Sequence, residues 1–164
     1  MFDAFIKVDG IPGESTDSKH DQWIEVLSFH WGVTQRASAS KSSAGAIGAE
    51  RADHDDFSFV HALDKASPKL MLACCDGTHI KEVKLELCRA TGDKQKYMEY
   101  LLKDVIVSSV SPGGAARDSE TIPYEEVKFS YGEINLVYTE TDHKTGKPKG
   151  DVKTGWSLVK NAKV

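Results

Sequence analysis

Apolar and polar residues alternate with a period of two along most of this chain, and the alternation repeatedly changes phase. Phe2, Ala4, Ile6 and Val8 alternate with Asp3, Lys7 and Asp9 before the turn Ile11-Pro12-Gly13-Glu14. Successive side chains of an extended strand face opposite sides, so each such run marks a strand with one buried face. Within residues 22–35, Ile24 and Val26 share one parity, whereas Leu27, Phe29, Trp31 and Val33 share the other. One extra residue exchanges the two faces of a strand, so a bulge or sharp coil is expected here. Beyond the switch, Ser28, His30, Gly32 and Thr34 lie opposite the aromatic row.

The pattern continues to the end of the sequence. Residues 57–63 form a short strand, and Val83, Leu85 and Leu87 alternate with Lys84, Glu86 and Cys88. Residues 97–110 are β-branched near their end, and Ser111-Pro112-Gly113-Gly114 offers a turn. Val127, Phe129 and Tyr131 alternate with Lys128 and Ser130; Ile134, Leu136 and Tyr138 resume after Gly132-Glu133 with reversed parity, and TGWSLVKN closes the chain. Many short strands without alternating helices predict an all-β fold with one short α-helix, an antiparallel sandwich or barrel. The helix is expected from Ser67 as N-cap and Pro68 in the first position, through Leu70–Cys74, to the stop at Asp76-Gly77. At 164 residues the chain fits a single domain spanning 1–164 and buries enough surface to fold without staples.

Two segments lack the pattern. Residues 36–52 (RASASKSSAGAIGAERA) form an extended loop with one large aliphatic, Ile47. A loop of that length in a compact domain is either functional or a flexible surface segment. Residues 141–151 (TDHKTGKPKGD) read as a long hairpin connection.

Charge and cysteine usage exclude several functions. Lys and Arg number 21 against 25 Asp and Glu, a net charge of −4, so no polyanion-binding surface and no nucleic-acid partner are expected. No run reaches the roughly 20 apolar residues of a membrane helix, and the N-terminus lacks a basic signal-peptide region. Membrane insertion is therefore not expected, and synthesis in the cytoplasm is. Cys74, Cys75 and Cys88 are too few and too irregular for a disulfide framework and read as reduced thiols.

Candidate chemistry is sparse. Asp53-His54-Asp55-Asp56 resembles a metal cluster, but strand neighbours diverge and no second ligand group recurs at zinc or calcium-loop spacing. His20-Asp21 and His61 with Asp64 read as surface polar residues. Cys74-Cys75 lacks redox-motif spacing and would diverge on a helix. Gly-x-Ser-x-Gly, phosphate-cradle and dinucleotide fingerprints are all missing. Phe29 and Trp31 offer either core packing or a sugar-stacking platform, with packing favoured by Leu27 and Val33 beside them. No catalytic residue, cofactor or metal is expected.

Further along, the residues become familiar. FIKVDGIPGEST, IEVLSFHWG, FSFVHALDKASPKLMLACCDG, VKLELCRATGDKQ, LKDVIVSSVSPGG, VKFSYGEINLVY and TGWSLVKN, in that order, resemble the haemolysin-coregulated protein (Hcp) family. These proteins build the inner tube of the bacterial type VI secretion system. The resemblance implies a small β-barrel of two packed antiparallel sheets with one flanking helix. Six copies close into a homohexameric ring, and rings stack into a hollow tube fired by a contracting sheath. It implies no enzymatic activity; the partners are other copies of the chain, the sheath, the spike and effector proteins held in the lumen. The protein is then made in the bacterial cytoplasm and secreted through the apparatus to the extracellular space or a target cell.

Ser28 and His30 match lumen-facing positions, where His30 is either an effector contact or a solvated channel residue. The 36–52 loop matches the family's extended loop towards the neighbouring ring, so Lys41, Ser42, Ser43, Ala44, Gly45, Ala46, Ile47, Gly48, Ala49, Glu50 and Arg51 are the expected stacking residues. A head-to-tail contact that closes makes a ring, and an axial one that does not close makes a filament. Two rivals are a monomeric β-sandwich binding module, for instance for carbohydrate, and a hydrolase with an unrecognised Ser/His/Asp set.

Overall fold

Each phase change in the sequence is a place where the chain exchanges strand partners. The computed structural model describes residues 1–38, 48–90, 92–116 and 121–164. In chain order its elements are β1 (Phe2–Val8), β2 (Ile24–Val26), β3 (Ser28–His30), β4 (Val33–Thr34), β5 (Ala37–Ser38), β6 (Gly48–Ala49) and β7 (Asp53–His54). There follow β8 (Phe57–Ala62), α1 (Ser67–Asp76), β9 (Ile80–Arg89), β10 (Lys96–Gly113), β11 (Tyr124–Thr141), β12 (Pro148–Ser157) and β13 (Ala162–Lys163).

All pairings are antiparallel, and they close a circuit. β1 pairs with β2 and β9, β9 with β10, β10 with β11, β11 with β8, and β8 with β3. β2 and β3 are separated by Leu27 alone, so they act as two halves of one stave and the sheet becomes a barrel. The expected switch in 22–35 falls here: the stave leaves β1 for β8, and the Leu27 N–H donates to the Val60 carbonyl at 2.8 Å. Leu27 and Val33 do not share the buried face of Phe29 and Trp31 as their parity suggests. Both are exposed, Leu27 because it occupies the exchange point and Val33 because it has already entered the separate β4–β7 pair.

The second switch involves two strands at once. On β10 the buried face passes from Leu102 to Val105, and on β11 from Tyr131 to Ile134, three residues in each case. Between them Asp104 adopts a left-handed backbone (φ 53°). Opposite it, a Cβ on Gly132 would stand 3.2 Å from the Asp104 Cβ and 3.3 Å from Val159 Cγ2. Neighbouring strands thus exchange faces together, and β11 exchanges partners, pairing with β8 over Tyr124–Phe129 and with β12 over Glu133–Thr141. The turn expected at Ser111-Pro112-Gly113 is absent: those residues continue β10, paired with Glu126, Glu125 and Tyr124.

Phe57, Phe59 and Phe129 are fully buried inside the barrel, with Phe59 and Phe129 stacked at 5.6 Å between ring centroids. Ile6, Leu85, Leu102 and Ile134 complete the centre, each contributing on the order of 2–3 kcal/mol through removal of apolar area from water. The helix departs from expectation at its start. Ala66 holds the N-cap position and offers no side-chain acceptor, while Ser67 is already helical and its Oγ accepts the Asp64 N–H at 3.2 Å. Gly77 (φ 66°) ends the helix as expected. α1 packs on β10 through Leu70 and Ala73. The β11–β12 connection is shorter than the 141–151 expected: Thr141 still belongs to β11 and residues 148–151 pair as part of β12, leaving residues 142–147 as the turn, where Asp142 Oδ1 accepts the Lys144 and Thr145 N–H groups at 2.7 and 2.9 Å. All three cysteines are free thiols.

Candidate functional site

The alternation that turns Phe29 inward turns its neighbours outward. Ser28 and His30 are exposed on the barrel wall, in register with Val60 and Ser58 of β8. Phe29 stacks on Phe57 at 6.2 Å and meets Tyr100 at 5.6 Å, so this member of the aromatic row packs against the core. Trp31 is fixed by a polar chain: its indole N–H donates to the Tyr131 hydroxyl, which donates to the Asp55 carbonyl at 2.9 Å. Burial pushes the Tyr131 phenol up to about 12.

That chain anchors the root of the segment read as a loop. Its flanks are zipped into a two-stranded ribbon, with Val33 and Thr34 opposite His54 and Asp53, and Ala37 and Ser38 opposite Ala49 and Gly48. The pairing slips by one residue between the two ladders, which twists the ribbon. Across it, the Glu50 N–H donates to the Arg36 carbonyl at 3.2 Å, the Gln35 amide donates to the Glu50 carbonyl, and Arg36 Nε lies 3.4 Å from Asp53. Of the expected stacking residues, Gly48, Ala49, Glu50 and Arg51 belong to this ribbon and are exposed. Arg51 donates through Nη2 to the Leu158 carbonyl at 3.0 Å, tying the ribbon to its own barrel. Lys41, Ser42, Ser43, Ala44, Gly45, Ala46 and Ile47 lie outside the described residues.

Between ribbon and barrel runs a largely apolar groove of about 560 Å³, lined by Trp31, Val33, His54, Leu136 and Trp156 among others. Burial lowers the affinity of His54 for a proton, and its Nδ1 is enclosed without a hydrogen-bond partner among the described residues.

Two histidines read as surface residues are core residues. His61 is fully buried, with Nε2 2.9 Å from Glu125 Oε1 and Nδ1 3.8 Å from Asp64. It stands directly across from Glu125 in the β8–β11 ladder, on the face that buries Phe57 and Phe59. Burial pushes the Asp64 carboxyl up. His20 is equally enclosed beneath residues 12–23, which cover the outer face of β1 and β9. Its ring stacks flat on Phe5 at 4.2 Å and meets the edge of Trp23 at 4.9 Å. Nδ1 lies 2.8 Å from Asp17 and Nε2 2.8 Å from Glu86, with the Cys88 thiol 3.9 Å from Nε2. Hydrogen bonds from His20 and then Lys94 hold the Asp17 carboxyl well below the usual carboxylate range, while burial pushes Cys88 up to about 11. Parity in β8 signals His61; His20 carries no local signal, because Glu86 and Cys88 are remote in sequence.

Barrel, ribbon and buried histidine–carboxylate contacts define a β-barrel domain whose ionisable clusters hold its own loops in place. A family profile described as type VI secretion system effector, Hcp, matches residues 5–138. The curated protein hcp1 of Pseudomonas aeruginosa is 36% identical over 160 residues, covering 97% of this chain and 96% of that one. A solved structure of a type six secretion system protein superposes with a TM-score of 0.93 at 35% identity and full coverage of both chains. Hcp1 from Salmonella typhimurium superposes with a TM-score of 0.81 at 32% identity, covering 99% of each. The chain belongs to the Hcp family, the tube components of the type VI secretion system, and proteins of this family are secreted through that system. The carbohydrate-binding alternative finds no support among these relatives.

Proposed function

We propose that this chain, as a single domain over 1–164, closes into a homohexameric ring and that rings stack into the hollow tube of the secretion apparatus. Ser28 and His30 line the lumen in this reading and contact effector proteins carried there. Residues 36–52, which include the ribbon, meet the next ring in this reading. The subunit works without catalysis: it is made in the cytoplasm, engages sheath and spike, and leaves through the apparatus with its cargo.

The outward placement of Ser28 and His30 beside the inward Phe29 carries this reading. It gives the barrel wall a small polar surface of the kind a passing protein slides along without sticking. Negative-stain images of the purified protein test the assembly: annular particles about six times the 18.0 kDa chain mass support it, and monomers at micromolar concentration overturn it. Deleting residues 40–50 leaves rings and abolishes tubes, whereas undiminished tubes remove the loop from stacking. Substituting His30→Trp lowers co-purified cargo while the ring persists; unchanged cargo removes His30 from the contact surface.

A further inference from the structure

Glu86 and Cys88 are two residues apart on β9, so their side chains leave the same face of the sheet, opposite the core-facing Leu85 and Leu87. Residues 12–23 fold over that face and bring His20 onto it, held between Phe5 and Trp23. His20 Nε2, Glu86 Oε2 and Cys88 Sγ all lie within 4.8 Å of one another. His20 and Cys88 are 2% and 0% exposed.

We propose that His20, Glu86 and Cys88 bind a zinc-like divalent cation, with Asp17 orienting the imidazole from behind. A nitrogen, a carboxylate oxygen and a thiolate sulfur form a donor set suited to zinc. Tetrahedral bonds of about 2.0–2.3 Å place ligand atoms roughly 3.3–3.8 Å apart. The sulfur–nitrogen distance of 3.9 Å already fits, and the 2.8 Å nitrogen–oxygen distance opens by about half an ångström around the ion. The 2.8 Å contact between Nδ1 and Asp17 is the second observation. Nε2 is equally close to Glu86, so two tautomers fit these contacts; in the one that donates Nδ1–H to Asp17, the Nε2 lone pair faces outward, the arrangement of metal-bound histidines. That lone pair then faces the Glu86 carboxylate, and two such acceptors 2.8 Å apart require a shared cation, either a proton or a metal ion. A polar groove of about 640 Å³, lined by Asp17, Lys19, Asp93 and Lys94 among others, adjoins the cluster at Asp17. Binding displaces the Cys88 thiol proton and any proton between Nε2 and Glu86 to solvent. The bound ion then staples the 12–23 segment to β9.

The test is a cobalt(II) titration of the chelator-treated, reduced protein carrying Cys74→Ser and Cys75→Ser, in which Cys88 is the remaining thiol. One cobalt per chain is expected, with a sulfur-to-cobalt charge-transfer band, quenching of Trp23 fluorescence, and displacement by zinc. The band is lost in Cys88→Ser and, should that variant fold poorly, in Cys88→Ala. Glu86→Gln keeps a hydrogen-bonding side chain but weakens binding, and Asp17→Asn lowers affinity about ten- to a hundred-fold. No charge-transfer band in the Cys88-only protein overturns the proposal, as does a band that survives Cys88→Ala. Either result leaves the tube reading untouched, because binding is measured on the chain whatever its assembly.

Discussion

Replacing Tyr131 by Phe removes a single oxygen, yet it cuts the polar chain that pins the ribbon to the barrel. The Tyr131 side chain is 7% exposed, and its ring packs against the core on the same terms after the substitution. Two hydrogen bonds disappear: the one from the Trp31 indole and the one to the Asp55 carbonyl. A typical intramolecular hydrogen bond contributes about 1 kcal/mol net, and a half-buried donor left without a partner costs at the upper end of that range. Asp55 is exposed and regains a water, so the expected loss is about 2 kcal/mol. In a chain of this size that lowers Tm by about 4–8 °C, read by calorimetry at pH 7. Amide exchange at Asp55, whose N–H donates to the Gly32 carbonyl at 2.9 Å, should accelerate before the barrel strands do. The double-mutant cycle with Trp31→Phe should show coupling of about 1 kcal/mol, since both single changes delete the same bond. A Tm loss under 2 °C, or additive single effects, refutes the anchoring role of the chain.

Three further outcomes follow from the same kind of accounting. The folded-state pKa of Asp17 lies below its unfolded value, so its stabilisation is complete above the unfolded pKa near 3.9 and is lost as pH falls towards the folded one; the Tm gap between Asp17→Asn and the wild type should be full above that pH and narrow progressively as pH falls below about 4, and a gap independent of pH would contradict this. Gly13→Ala would put a Cβ 2.5 Å from the Trp23 carbonyl oxygen and 2.7 Å from Ile24 Cγ1, so denaturant unfolding should show a loss of about 2 kcal/mol or more, with local detachment of residues 12–23. Glu125→Leu leaves His61 buried without its carboxylate and should cost about 3–5 kcal/mol, whereas adding His61→Leu should recover most of that loss; a double variant as unstable as the single one would show that the pair itself stabilises the core.

Period-two alternation made the strands and the barrel legible, because every barrel strand buries one face and that face is written in the sequence. Phase reversals at Val26–Leu27 and Gly132–Glu133 were legible as well, though what they accomplish was not: each marks an exchange of partner strands, a long-range event. The Ser111-Pro112-Gly113 turn was misread because Pro and Gly near the end of a long hairpin can remain paired when the partner strand supplies the ladder. Ser67 was misplaced by one position because the buried Ala66 takes the N-cap site, and packing outweighs a cap of about 1 kcal/mol. Composition concealed the ribbon, whose Ala, Ser and Gly residues pair through the backbone alone.

The two buried histidines separate what a local pattern can encode from what it cannot. His61 follows Phe57 and Phe59 at spacing two, and Glu125 precedes Val127 and Phe129 at the same spacing on the facing strand. Extending either row by one step puts an ionisable group in the core, and the register then brings the two together. A buried imidazole or carboxyl needs a hydrogen-bond partner, so each sequence row predicts the need for the other. His20 lies on no such row. Its partners Asp17, Glu86 and Cys88 converge because a covering segment lands on the outer face of β9. The same rule of alternation governs the barrel wall, where one phase turns Phe29 into the core and leaves Ser28 and His30 outside it. A one-residue insertion between Val26 and Phe29 that spared the barrel would therefore be expected to exchange these faces, driving His30 inward at a stability cost larger than any single substitution on that wall.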